Sequence, residues 1–242
     1  MISVRKAGFT IIEVMLFLGI SGLLFVGIIA GTSGSINVQR YHDSVTSLQS
    51  VLQQQYSEAS NVINDSTTSL RGQSESVVLG RFVTTTDGTN LTLKSVIGVP
   101  TNVLTNPTDI STFKDGYTMD VSDINSSTYS IEWGAVLSDV SGSTPKGFSM
   151  LVLRSPLSGI TRTFLSDAPT ADDDNHLSIF LASLITQPNL DKSIQLCVDS
   201  QGLFTGPKLA VKIDANSSSA SGIQTLGEAE QALTDKGNSV CH

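Results

Sequence analysis

The chain has 242 residues, 39% of them hydrophobic, with 14 Lys and Arg against 22 Asp and Glu for a net charge of −8. The length suits one domain with a sizeable core, the apolar content excludes a disordered chain, and the acidic balance excludes a nucleic-acid scaffold, which needs clustered cations against phosphate. Ser and Thr number 35 and 24, about a quarter of the chain, a composition that favours strands and loops over a helical bundle.

A mean hydropathy of +0.11 comes from one segment. Phe9 to Ala30 (FTIIEVMLFLGISGLLFVGIIA) is a run of 22 residues with one charge, Glu13. As a helix at about 1.5 Å per residue it is about 33 Å long, enough to cross a hydrocarbon core of about 30 Å. Arg5 and Lys6 precede it and the first charge after it is Arg40, so the cationic flank marks the N-terminus as cytoplasmic and the remainder as exterior. A secretory signal peptide has an apolar region of about 7–15 residues, shorter than this run. A plain anchor explains the length but not Glu13, because an ionised acid in a spanning helix costs about 2.5–3.5 kcal/mol at its centre.

Lys6-Ala7-Gly8-Phe9-Thr10-Ile11-Ile12-Glu13 resembles the processing site of type IV prepilins and of the pseudopilins of type II secretion. The resemblance covers roughly the first 30 residues. It implies a leader of residues 1–8, with leader charges Arg5 and Lys6, cut between Gly8 and Phe9 by a prepilin peptidase that also methylates the new amine on Phe9. It implies that Glu13 is the assembly acid, whose carboxylate neutralises the Phe9 amine of a neighbouring subunit. Within a filament core of bundled apolar helices that pair holds axial register, since breaking it strands a buried charge at about 3–5 kcal/mol. The implied partners are the peptidase, other pilin or pseudopilin subunits in a helical filament, the inner-membrane assembly platform and the membrane itself. The implied location is a single pass in the cytoplasmic membrane, then a filament outside the cell. Glycines 19, 22, 27, 31 and 34 punctuate the helix, and Gly27-Ile28-Ile29-Ala30-Gly31 reads either as a packing face for a neighbouring helix or as ordinary spanning-helix composition.

Beyond the membrane run, Val38, Tyr41, Val45, Leu48, Leu52, Ala59 and Val62 recur at helical steps, with Gln55 in the one skipped place. The pattern predicts one helix from about Thr10 to Ile63, apolar all round in its first half and amphipathic in its second, closed by Asn64-Asp65-Ser66-Thr67. Candidate strands follow at Val77–Thr84, Leu91–Ile97, Tyr117–Val121, Tyr129–Leu137, Phe148–Arg154, Thr161–Leu165, Leu177–Leu184, Ile194–Val198 and Lys208–Ile213. Asp87-Gly88, Asp115-Gly116, Ser141-Gly142, Ser155–Gly159 and Gln201-Gly202 break them. Residues 215–222 (ANSSSASG) read as a flexible loop, Leu226–Leu233 as a short helix, and Trp133 as a core strand residue.

The expected fold class is α+β: a long N-terminal helix packed on an antiparallel sheet or sandwich head. The segments are the leader 1–8, the membrane or filament-core helix 9–30, an amphipathic helix 31–66 and an extracytoplasmic β-rich head 67–242. The end of the helix and Val77-Val78-Leu79-Gly80 loosely resemble the H-type pseudopilins and related minor pilins, which implies a two-sheet head.

Cys197 and Cys241 lie 44 residues apart on the exterior side, where an even count favours one disulfide over two separate thiols. Asp172, Asp173 and Asp174 are the densest acidic cluster and offer oxygen ligands for Ca²⁺, but the EF-hand pattern is not met and a solvated turn is the reading taken. His42, His176 and His242 share no metal spacing. No hydrolase, metalloprotease, phosphate-loop or dinucleotide motif occurs, so neither catalysis nor a cofactor is expected. The leading expectation is a structural pilus or pseudopilus subunit. The alternative is a minor tip pilin whose head binds DNA or a surface ligand, with DNA disfavoured because the cations of the last third are scattered.

Overall fold

The computed structural model describes residues 8, 10–60, 76–142, 145–169, 180–185, 193–203, 205–234 and 240–241. The fold is α+β, a long apolar N-terminal helix followed by an antiparallel β head. Helix α1 spans Ile11–Ser60. Thr10 opens it: its hydroxyl accepts from the Glu13 amide at 3.3 Å, while its own amide and hydroxyl both donate to Glu13 Oε2 at 2.9 Å. This reciprocal exchange satisfies two groups that a helix start otherwise leaves unpaired. The expected stop at residues 64–67 lies outside the described residues.

By its contacts the chain divides into two units, Met1–Arg40 and Tyr41–His242. The division falls inside the stretch 31–66 read as amphipathic. In the first unit the large apolar side chains of α1 from Ile11 to Ile29 are exposed, with Ile11 at 77% and Leu23 at 76%. Among the described residues α1 is the one helix long and apolar enough to cross a membrane.

The second unit begins with the expected stripe. Tyr41, Val45, Leu48, Leu52, Gln55 and Ala59 are buried, and Tyr56 joins them one step off the pattern. Two antiparallel sheets share that core. The first has strands β1 (Val77–Thr85), β2 (Asn90–Pro100), β3 (Tyr117–Ser130), β5 (Phe148–Arg154) and β6 (Thr161–Ser166), in the order β3-β2-β1-β5-β6. The second has β4 (Val136–Ser138), β7 (Ile194–Asp199), β8 (Ala210–Ile213) and β9 (Ile223–Leu226), in the order β4-β7-β8-β9. Val83, Leu93, Met150 and Val152 from the first sheet, and Leu137, Leu196, Val198, Val211 and Ile213 from the second, join the helix stripe in one apolar cluster.

Alternate residues of the first sheet serve a second cluster, as the two-residue strand period requires. Leu79, Phe82, Leu151, Leu153 and Phe164 meet Phe113 and a short helix over residues 180–185. That helix, α3, follows a helical turn α2 (Asp109–Ser111) and precedes the closing α4 (Glu228–Thr234). Because both faces of the first sheet are covered, its central strands β1 and β5 are buried almost throughout.

Three expectations need correction. The strand predicted over Leu177–Leu184 is helical at residues 180–185, because Leu181, Leu184 and Ile185 fall on one helical face that covers the first sheet, while 177–179 lie outside the described residues. The strand predicted over Tyr129–Leu137 is two strands in different sheets. Between them a tight turn, Glu132–Gly134, holds Trp133 at φ 57, and Trp133 is 48% exposed instead of in the core. Residues 215–222 are tied down, since the Asn216 amide donates to the Thr163 carbonyl at 2.9 Å and Ala220–Gly222 form a 3-10 turn leading into β9, a strand the pattern did not predict. The hairpin turn at Ser155–Gly159 is as expected, with the Gly159 amide donating to the Ser155 carbonyl and Gly159 at φ 74.

Candidate assembly segment and head contacts

Gly8 is exposed, while Arg5, Lys6 and Phe9 lie outside the described residues. The Glu13 carboxylate sits in the first turn of α1, held by Thr10 from the N-terminal side. A carboxylate there is also favoured by the positive end of the helix dipole. This cap is a partner for Glu13 that the sequence reading did not identify, although Thr10-x-x-Glu13 has the spacing of a capping box. At glycines 19, 22, 27, 31 and 34 an added methyl group would meet nothing within 4 Å. Among the described residues, therefore, no contact requires glycine at any of the five.

In the head, Cys197 on β7 and Cys241 are joined by a disulfide with a Cα–Cα separation of 5.7 Å. Gln231 of α4, fully buried, holds the same corner. Its Nε2 donates to the carbonyls of Lys208 and Leu226, and its Oε1 accepts from the Cys241 amide at 2.8 Å. The disulfide thus closes at a residue whose amide is already held by the Gln231 side chain. A lone Gln in a short helix carries no sequence signal for such a role.

The sequence reading also missed Arg81. This β1 side chain is buried, and its Nε lies 3.0 Å from Glu58 near the end of α1. Burial works against the charged guanidinium, and the Glu58 carboxylate works for it. Other cations of the head are likewise engaged: Lys94 with Asp123, Lys146 with Asp167, Arg162 with Asp109, Lys208 with Asp199 and Lys212 with Asp214. Asp172, Asp173, Asp174, His176 and His242 lie outside the described residues, and among the described ones no three His, Cys, Asp or Glu side chains group as metal ligands.

No protein-family model, no curated protein and no solved structure matches the chain.

Proposed function

We propose that this chain is a pilin-like structural subunit. It is stored as a single-pass protein of the cytoplasmic membrane with its N-terminus inside, cut between Gly8 and Phe9 by a prepilin peptidase and methylated on Phe9. It is then assembled through α1 into a type IV pilus or secretion pseudopilus. The observation that carries this reading is the change of character along one unbroken helix. From Ile11 to Ile29 its apolar side chains are exposed, and from Tyr41 to Ala59 its stripe is the core of a β head.

An exposed apolar helix needs lipid or other helices around it, and a filament of such subunits supplies the second when the first is left behind. Glu13 then passes from the Thr10 cap to the amine of a neighbouring Phe9. The engagement of six head cations by carboxylates supports this reading over nucleic-acid binding, which draws on free Lys and Arg.

The test has two parts. Mass spectrometry of the exported protein is expected to find a chain that begins at a methylated Phe9, and an intact Met1 or a cut near residue 30 would defeat the reading. Glu13→Ala is expected to insert into the membrane normally yet be absent from sheared filaments; equal incorporation of the variant contradicts the role given to this acid.

A further inference from the structure

Arg81 is 4% exposed, and its guanidinium is fixed from several sides. Nε donates to Gln55 Oε1 at 3.1 Å and faces Glu58, while Nη1 donates to Ser95 Oγ at 2.8 Å and to the Asn125 carbonyl at 3.1 Å. None of these bonds uses Nη2. The Asn125 carbonyl reaches Arg81 because β3 departs from its ladder between Ser122, opposite Ser95, and Ser127, opposite Leu93, with Asn125 at φ 59 inside the departure. Between this bulge and the end of α1 opens a cleft of about 360 Å³, lined among the described residues by Arg81, Glu58, Ser95, residues 125–127 and the apolar Val78. That volume is within the usual range for a small-molecule site.

Three features of the cleft select its ligand. The charge of Arg81 is offset by Glu58, so an incoming anion would meet a carboxylate across the same guanidinium. The lining residues carry both donors and acceptors: the Arg81 guanidinium, the Glu58 carboxylate, whose Oε1 accepts from Gln54 Nε2 at 2.7 Å and keeps a further lone pair, the Asn125 amide and the hydroxyls of Ser126 and Ser127. The groups nearest the guanidinium are already immobilised, so a ligand bound there costs little further ordering of the protein. An adjacent donor and acceptor in a site of no net charge is the complement of a hydroxyl, which accepts one hydrogen bond and gives another. Two hydroxyls on neighbouring carbons use the pair twice.

We propose that this cleft binds a neutral sugar unit through a vicinal diol, with Arg81 Nη2 donating to one oxygen and Glu58 accepting from a hydroxyl. The inference stands on the head alone and holds whether or not the chain is a filament subunit. The experiment is saturation-transfer NMR on the full chain in a sugar-free detergent, dodecylphosphocholine. The probes are methyl glycosides of glucose, galactose and mannose, with acetate and sulfate as competitors. Saturable transfer to at least one glycoside is expected, weakened at least tenfold by Arg81→Lys, which removes Nη2 and keeps the charge. The same loss is expected from Ser127→Phe, which fills the cleft without touching the ion pair, so a folding defect of the first variant does not decide the matter. Absence of transfer to every glycoside, transfer unchanged in Ser127→Phe, or displacement of the glycoside by acetate or sulfate would overturn the proposal.

Discussion

Tyr41 serves two backbone groups at the entrance to the β7–β8 ladder. Its hydroxyl accepts from the Leu209 amide at 2.6 Å and donates to the Val198 carbonyl at 2.8 Å. Burial pushes this phenol from 10 up to about 12; the Leu209 amide opposes the rise and Asp199 adds to it. Since the folded value is the raised one, the stabilisation is full below pH 10 and is lost as pH climbs toward 12. Tyr41→Phe strands two buried groups at about 1–3 kcal/mol each. Denaturant titration of the full chain in detergent should therefore show a lower midpoint for the variant at neutral pH and a weaker loss of stability than wild type between pH 10 and 12. Gly80 is a second sensitive residue. A methyl group there would run into the Val152 carbonyl of the neighbouring strand β5, so Gly80→Ala should cost about 1–3 kcal/mol by overpacking, read in the same titration. Neither role is legible from the residues, because both depend on which strand lies alongside. Trp133 teaches the same lesson: an aromatic in an apolar run has the composition of a strand, and only the passage between sheets puts it at positive φ.

Among the elements, α1 was the most legible. Its three- and four-residue steps and its apolar first half are local properties, and burial of Tyr41, Val45, Leu48, Leu52 and Ala59 follows the pattern closely. Strands β1, β2, β5, β6 and β7 were also legible, each being a short apolar run between turn residues. The errors fell where a run had two possible periods. In 180–185 the spacing of Leu181, Leu184 and Ile185 is helical, but the largely apolar stretch 177–184 (LSIFLASL) imitates a buried strand. In β9 the buried pair Ile223 and Leu226 does not alternate, so nothing marks a strand until β8 is placed beside it. The disulfide was expected from the exported setting and the even count, and the loop of about 45 residues that it closes is worth roughly 4 kcal/mol on the chain-entropy model. Replacing both Cys197 and Cys241 by Ala should lower stability by about that amount, and reduction of the wild type with dithiothreitol should give the same midpoint as the double variant.

At the scale of the whole molecule the membrane expectation can be tested without reference to any filament. Leu23 is exposed in the middle of the apolar run, and an Arg there costs about 2.5–3.5 kcal/mol on insertion scales. Leu23→Arg should shift the chain from the membrane pellet to the supernatant after alkaline carbonate extraction, whereas Gly27→Ala, whose added methyl meets nothing among the described residues, should remain in the pellet. The sequence signal for the candidate assembly segment lies in eight consecutive residues. The Arg81 cleft has no such local signal, because it gathers α1, β1, β2 and β3 from across 70 residues of sequence.

The order of strands has a further effect. β4 belongs to the second sheet, yet the chain returns to the first for β5 and β6 before β7 arrives to pair with β4 across about 60 residues. A nascent head that has emerged only through β6 thus carries β4 without its sheet partner β7. Non-local pairing of this kind slows folding, commonly to milliseconds or seconds. Until β7 arrives, Val136–Ser138 is an open edge available to the same edge of another copy, so the interval before closure is when these chains are most prone to aggregate.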